Sequence, residues 1–222
     1  MASLGGPDIV TNGLVLQLDA ANTKSYVSGS ATWRDLSGNG NTGIFLPGSS
    51  SFNPSNNNAI STMCTSSLSF ASSNNTSQII WFYYNGGSVA SVLCGLTEGG
   101  YNSSGIGLYI NNGTNGSTAG NRVSVIYPGS AFNAIAPQAG TLASNAWTQL
   151  VLIRDSTTTF LYQNAALVGS TSATPRTGTV LSSIFAVAPS VGSIGSFQIY
   201  NRALTASEVA QNYNATKARF NL

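Results

Sequence analysis

The hydrophobic residues of this chain fall in short runs with a period of two. Leu14, Leu16 and Leu18 are separated by Val15 and Gln17, as expected of a β-strand with one buried face. Eight further runs have strand length, and every interval between them contains Gly, Asn, Pro or Ser. They cover residues 78–84, 89–94, 106–110, 122–127, 147–154, 158–163, 184–187 and 193–200. The pattern predicts many short strands separated by turns.

The intervals contain turn signals but no helical periodicity, which favours an antiparallel sandwich or barrel over a parallel α/β sheet. The Asn-Gly pairs at Asn85, Asn112 and Asn115 supply the positive φ angles that tight hairpins need. Residues 47–58 consist almost entirely of Ser, Asn, Pro and Gly, and we expect them to form a long exposed loop.

One helix is predicted, near the C-terminus. Thr205 and Glu208 have the spacing of a capping box, and Leu204 and Val209 have that of a hydrophobic staple. The sequence therefore predicts a short amphipathic helix over residues 204–216, followed by a tail. In this interpretation Glu208 has a structural role.

The length of 222 residues suits one large β domain, and no repeat or linker divides it. We therefore predict a single domain over residues 1–222, with an N-terminal extension at residues 1–8 and a C-terminal tail at residues 217–222. Apolar residues make up 42% of the chain, enough for a core. Charged residues make up only 6%, so Ser, Thr, Asn and Gly must solvate the surface.

Charge and hydropathy exclude two classes of partner. The net charge is +2 and the eight basic residues form no cluster, so we expect no nucleic acid partner. No apolar run approaches the roughly 20 residues of a membrane-spanning helix, so we expect no membrane insertion. The first six residues lack a basic start and an apolar stretch, and we therefore expect synthesis in the cytoplasm without export.

The cysteines and the absence of histidine limit the available chemistry. Cys64 and Cys94 are interpreted as two buried thiols, with a single disulfide as the alternative. Without histidine, neither a Ser-His-Asp triad nor a Cys-His pair can form, and a zinc site is implausible.

Five segments resemble laminin-G-like domains of the concanavalin A-like lectin and glucanase superfamily. The opening is carried by residues 13–20 (GLVLQLDA) and 33–41 (WRDLSGNGN). The central strand pair is carried by residues 147–151 (WTQLV) and 162–167 (YQNAAL), and the last strand and helix by residues 194–205 (IGSFQIYNRALT).

This resemblance spans residues 9–213 and implies an all-β fold: a two-sheet antiparallel jelly-roll sandwich with one short C-terminal helix. It also implies a module that binds glycans or proteins. Residues 9–15 together with 33–41 are further similar to copies in bacteriophage structural proteins, which decorate capsids or serve as tail adhesins.

The acidic residues do not suit glycoside hydrolysis, which needs two carboxyl groups at a fixed separation. No two of them lie within a few positions of each other on one strand, and the Glu-x-Asp-x-Glu strand of the glucanase branch is absent. We therefore predict that the protein is not an enzyme. The six acids are Asp8, Asp19, Asp35, Glu98, Asp155 and Glu208.

Calcium is the cofactor that the sequence leaves open, because it binds carboxylate, amide and carbonyl oxygens. Asp19, Asp35, Asn39 and Asn41 are the candidate ligands. The favoured interpretation is that no cofactor is bound and that Asp35 and Asn39 stabilise their loop by bonding its backbone.

Aromatic side chains in loops are the candidates for stacking on a sugar. They are Tyr26, Trp33, Tyr101 and Tyr127, each of which could instead fill the core or a turn. Trp81 and Trp147 lie inside apolar strands and are predicted to be core.

The resemblance to phage structural proteins implies a virion structural protein. The first hypothesis is a capsid decoration protein on the virion surface that binds the major capsid protein or other virion proteins. The alternative is a lectin-like adhesin of a tail or fibre that recognises host surface glycans. Low charge permits close packing of copies, so we also expect a homo-oligomer.

Overall fold

A computed structural model describes eleven segments of the chain. They are residues 7–45, 51–53, 59–61, 63–71, 75–86, 91–97, 105–110, 122–127, 133–172, 180–186 and 192–222. The strands in these segments are Leu14–Asp19 (β1), Thr32–Trp33 (β2), Gly43–Phe45 (β3), Ser51–Asn53 (β4), Ala59–Ser61 (β5), Met63–Ala71 (β6), Thr76–Tyr84 (β7), Ser91–Thr97 (β8), Gly105–Ile110 (β9), Arg122–Tyr127 (β10), Asn133–Thr141 (β11), Ala146–Asp155 (β12), Thr158–Gln163 (β13), Ala166–Thr171 (β14), Val180–Ala186 (β15) and Gly192–Tyr200 (β16). One α-helix, Ala206–Thr216 (α1), and a 3₁₀ helix, Lys217–Phe220, follow them.

The strands form two sheets in which neighbours pair antiparallel. The first sheet has the order β14-β13-β12-β7-β16-β5-β4, and β1 also pairs with β16. The second sheet has the order β11-β10-β9-β8-β15-β6-β3-β2. The predicted two-sheet antiparallel sandwich is confirmed.

The prediction of one continuous loop over residues 47–58 is wrong. The proposed loop at residues 47–58 contains β4, which pairs with β5, while residues 47–50 and 54–58 lie outside the described part. The predicted tail is partly ordered as the 3₁₀ helix Lys217–Phe220, which ends in a buried Phe220. Asn112 and Asn115 lie outside the described segments as well.

Strand β7 shows how the sequence builds two hydrophobic layers on the first sheet. Because side chains alternate across a strand, Ile80, Phe82 and Tyr84 face the second sheet, and Ile79 and Trp81 face the opposite way. All five are buried. Burying each such side chain stabilises the fold by about 1.5–3 kcal/mol. The uninterrupted apolar run in β7 thus reflects burial on both faces.

The core between the sheets also takes residues from both ends of the chain. Leu16 and Leu18 of β1 and Phe197 of β16 pack from the first sheet, and Trp33 and Phe45 pack from the second. The opening and closing segments of the sequence therefore meet in the centre of the fold.

The outer face of the first sheet is covered by α1 and the residues that flank it. Val209 and Leu204 pack on Ile79 and Tyr200 in one cluster. Phe220 packs on Trp81 and Trp147 in another. Trp81 and Trp147 are buried, as predicted, but beneath the C-terminal segment and not between the sheets.

The start of α1 confirms the predicted capping box. The Thr205 hydroxyl accepts a hydrogen bond from Glu208 N at 3.3 Å, and Glu208 Oε2 accepts one from Thr205 N at 2.8 Å. Arg202 binds both carboxylate oxygens of Glu208, Oε1 at 2.5 Å and Oε2 at 2.9 Å. Glu208 is therefore held in a structural role.

Candidate ligand-binding site

The loop formed by residues 35–41, which we call the Asp35 loop, contains three of the candidate calcium ligands. Asp35 Oδ1 accepts hydrogen bonds from Gln17 N (2.9 Å) and Ser37 N (2.8 Å). Asp35 Oδ2 accepts from Ser37 Oγ (2.7 Å) and Asn41 N (2.9 Å). These four donors use the four lone-pair positions of the carboxylate.

The two asparagines of the Asp35 loop bind the backbone of β1. Asn39 Nδ2 donates to Leu14 O at 3.1 Å, and Asn41 Nδ2 donates to Val15 O at 2.8 Å. Both side-chain amides thus donate a hydrogen bond from Nδ2 to a backbone carbonyl of β1. The loop-stabilising bonds predicted for Asp35 are present, and Asn39 bonds β1 and Ser37 Oγ.

Asp19, the fourth candidate calcium ligand, is bonded elsewhere. Its Oδ1 accepts from Ala21 N at 2.9 Å and forms an ion pair with Arg219 Nη1 at 2.6 Å. Both oxygens of Asp35 and Oδ1 of Asp19 are thus bonded to the protein's own donors. Within the described segments, no three His, Cys, Asp or Glu residues are grouped so as to hold a metal.

Two of the four candidate sugar platforms are buried. Tyr26 is 4% exposed and packs edge-on against Phe45 with ring centroids 5.6 Å apart. Trp33 is fully buried and stacks on Phe45 at 6.0 Å. Both therefore belong to the core between the sheets, where a sugar cannot reach them. Tyr101 lies outside the described residues, and Tyr127 is the last residue of β10, with a side chain outside the described part.

The partly exposed rings of Tyr83 and Tyr213 lie on the outer face of the first sheet, and neither was predicted from the sequence as a candidate platform. The half-buried Tyr83 ring is 5.5 Å from Trp147. At the other end of the same cluster, the half-buried Tyr213 stacks on Trp81 at 5.8 Å. The alternation within β7 places positions 81 and 83 on one face, but it does not show that the C-terminal segment covers only part of that face.

The register of the second sheet keeps the two cysteines apart. Cys64 in β6 is opposite Phe185 in β15, and on the other side of β15 Ile184 is opposite Gly95 in β8. Cys94 therefore falls beside Phe185, two strand spacings or about 9.6 Å from Cys64. A disulfide needs Cα atoms within about 7 Å. Cys64 is a reduced, buried thiol, as predicted.

The sequence and the fold were compared with known proteins. Residues 54–210 match the concanavalin A-like lectin/glucanases superfamily, so the match leaves out the opening motif at residues 13–41. A comparison with curated proteins found no match. Within the described residues, no helix is long and apolar enough to cross a membrane.

Three solved structures illustrate the similarity of fold. Domain 4 of an extracellular arabinanase from Geobacillus stearothermophilus, in complex with arabinotriose, has a TM-score of 0.67 at 17% identity, with 90% of this chain and 98% of that domain covered. Trypanosoma rangeli sialidase has a TM-score of 0.67 at 14% identity, and the binding domain of botulinum neurotoxin serotype D has 0.66 at 15%. The alignments cover 95% and 92% of this chain but only 34% of the sialidase and 51% of the neurotoxin domain. These structures share the fold, and the match over residues 54–210 shows that the chain belongs to the concanavalin A-like lectin/glucanases superfamily.

Proposed function

We propose that this protein is a non-enzymatic binding module of a bacteriophage virion, and specifically a capsid decoration protein that contacts the major capsid protein. The observation that supports a non-enzymatic function is that three acidic side chains are already bonded within the protein. Asp19, Asp35 and Glu208 are each held by an arginine or by backbone N–H groups. A glycosidase needs a carboxylate pair that faces its substrate.

The remaining acids give little support to catalysis. Asp155 is exposed at the end of β12, and Asp8 lies on the N-terminal segment, where its backbone carbonyl accepts a bond from Gln211 Nε2 at 2.8 Å. Glu98 lies outside the described residues. A lectin-like sandwich in which three of the six acids stabilise the scaffold supports binding as the function.

The virion assignment rests on the resemblance of residues 9–15 and 33–41 to domains of phage structural proteins. The low charge of the chain supports it, because copies that carry little charge can pack closely on a capsid without strong repulsion. We further propose that the protein assembles as a homo-oligomer without a cofactor and is displayed on the capsid surface.

The test is to locate the protein in purified phage particles with a gold-labelled antibody raised against the whole chain. Labelling over the entire head is expected for a decoration protein. Labelling confined to the tail would overturn the capsid assignment and favour an adhesin. Particles that carry no label, while the antibody detects the protein in the lysate, would overturn the virion assignment.

The second candidate function is a tail or fibre adhesin that binds host glycans. The observation that favours it is the arabinanase domain, which this chain covers almost completely and whose structure contains arabinotriose. Binding to a glycan array is the test, with Tyr101→Ala and Tyr127→Ala as the probing variants. Tyr26→Phe is the matched control, because Tyr26 is buried and the change keeps its ring. If neither probing variant weakens glycan binding, Tyr101 and Tyr127 are not the platform.

A further inference from the structure

Strand β1 has one side that faces away from its only paired neighbour in the described structure. It pairs with β16 in the register Leu16↔Ile199, Gln17↔Gln198 and Leu18↔Phe197. In an antiparallel pair, alternate residues direct both backbone groups toward the partner, and the others direct theirs to the opposite side. Val15, Gln17 and Asp19 belong to the second set. An unpaired row of this kind is a template for a strand of another molecule.

The Asp35 loop occupies this row with bonds to two of the three residues. Gln17 N donates to Asp35 Oδ1 at 2.9 Å, and Gln17 O accepts from Leu36 N at 2.8 Å. Val15 O accepts from Ser37 Oγ at 3.1 Å and from Asn41 Nδ2 at 2.8 Å. A neighbouring strand would make its bonds to the same backbone atoms.

The preceding segment closes the end of the row. Asp19 N donates to Ser25 Oγ at 3.1 Å, and Asp19 O accepts from Asn22 N at 3.3 Å. Every outward residue of β1 is thus bonded to residues 22–41, which contribute side chains and turn amides in place of a paired strand.

The sequence of the Asp35 loop fits this arrangement. Asp35, Ser37, Asn39 and Asn41 alternate with other residues, and each bonds the β1 backbone. The two intervening glycines have positive φ, +87° at Gly38 and +75° at Gly40. A left-handed conformation is readily adopted by glycine, and it lets the chain turn so that successive polar side chains reach β1.

We infer that the Asp35 loop is an edge plug, which prevents β1 from adding the β1 strand of a second copy of this chain. Such pairing would be antiparallel about a two-fold axis, with the same strand on both sides. Among the outward residues only Asp19 is charged, and it is neutralised by Arg219, so little charge would oppose the pairing. The homo-oligomer proposed above must then form through another surface.

Removing the plug is the test. Asp35→Ala deletes the acceptor of four hydrogen bonds and frees Gln17 N. Asp155→Ala is the matched control, because it removes an exposed carboxylate far from β1 in sequence. In sedimentation velocity, the Asp35→Ala variant is expected to have twice the mass of the unaltered protein, and this mass should depend on the protein concentration. The Asp155→Ala variant should keep the mass of the unaltered protein.

A second variant identifies the edge that pairs. Gln17→Pro in the Asp35→Ala background removes the N–H that a new strand would bind, and it is expected to restore the original mass. If Asp35→Ala fails to fold, Asn39→Ala/Asn41→Ala replaces it, since that variant keeps the Asp35 bonds. A folded Asp35→Ala variant whose Gln17 N–H exchanges freely with solvent, but whose mass is unchanged, would overturn the inference. A folded Asn39→Ala/Asn41→Ala variant of unchanged mass would overturn it as well, because that variant frees the carbonyl groups of Leu14 and Val15 from the asparagine side chains.

Discussion

The ring of Phe220 stacks on the indole of Trp81, with 4.2 Å between centroids and 16° between planes. Trp147 lies 4.6 Å from the same ring, and the Arg219 guanidinium lies 4.8 Å above it. A Cβ at Gly195 would approach Phe220 to 2.6 Å, so glycine is needed at that position. Phe220 therefore anchors the end of the chain on the outer face of the first sheet.

Replacing this anchor should be strongly destabilising. Phe220→Ala is expected to lower the free energy of unfolding by about 3 kcal/mol, because it leaves a cavity between two tryptophans. Urea denaturation followed by tryptophan fluorescence measures the loss. Leu222→Ala is the control, since that side chain is 48% exposed, and its effect should stay within about 0.5 kcal/mol. Similar values for the two variants would contradict the anchoring role.

Asn212 fastens the N-terminal segment to α1. Its Oδ1 accepts from Val10 N at 2.8 Å, and its Nδ2 donates to the Tyr200 hydroxyl at 3.2 Å. Asn212→Ala leaves a buried N–H without its acceptor and should destabilise the fold by about 2 kcal/mol. It should also accelerate proteolysis near residues 7–12. The exposed Asn214→Ala on the same helix should do neither, and equal proteolysis of both variants would refute the prediction.

Glu208 should give the protein a stability that is lost in acid. Hydrogen bonds from Arg202 lower the pKa of Glu208 to about 2. Because the pKa in the folded state is below that of the unfolded chain, the contribution is complete above about pH 5 and disappears as the pH falls toward 2. The side chain is 25% exposed, so solvent screening limits the effect to about 1 kcal/mol.

Melting temperatures measured between about pH 2 and pH 7 test this linkage. Glu208→Gln should melt lower than the unaltered protein at neutral pH, and the difference should shrink in acid. Asp155→Asn, which changes an exposed carboxylate, should keep the original pH dependence. Parallel curves for Glu208→Gln and the unaltered protein would show that the ion pair contributes nothing.

Cys64 should be chemically inert in the native protein. Burial raises the pKa of the Cys64 thiol to about 12, and the thiolate is the reactive form. Iodoacetamide at neutral pH should leave Cys64 unmodified until the protein is denatured. Both cysteines should then react without prior reduction, because the strand register keeps them apart. A denatured protein that stays unlabelled until a reductant is added would instead indicate a disulfide.

Calcium should not stabilise this protein. Donors occupy all four lone-pair positions of Asp35, and Asp19 is paired with Arg219. Calorimetry with roughly millimolar calcium or with a chelator should give one melting temperature, since weak extracellular sites bind in that range. An increase with calcium that Asp35→Asn removes would show that the carboxylate exchanges its donors for the ion.

Much of the fold could be predicted because the signals are local. Alternation in segments such as residues 147–154 and 158–163 gave strands, and the spacing of Thr205 and Glu208 gave the start of α1. Both depend on neighbours within a few positions, so the sequence contains them directly. The short strands β4 and β5 were not predicted, because their composition does not indicate strands. They are stabilised by the pairing of β5 with β16 and of β4 with β5.

The candidate site could be predicted only in part. The polar residues of the Asp35 loop were recognised as bonding groups, but their attachment to β1 joins positions more than 20 residues apart. Tyr26 and Trp33 have loop-like surroundings in the sequence, yet contacts with Phe45 and neighbouring strands bury them.

The sequence by itself determined the all-β class, the single C-terminal helix and its cap, because periodicity and capping are local properties of the chain. Only the tertiary structure decided which side chains are buried, which face the C-terminal segment covers, and which strand edge the Asp35 loop closes. Those outcomes depend on contacts between distant segments, and the same residue types would suit either a surface or an interior until the sheets pack.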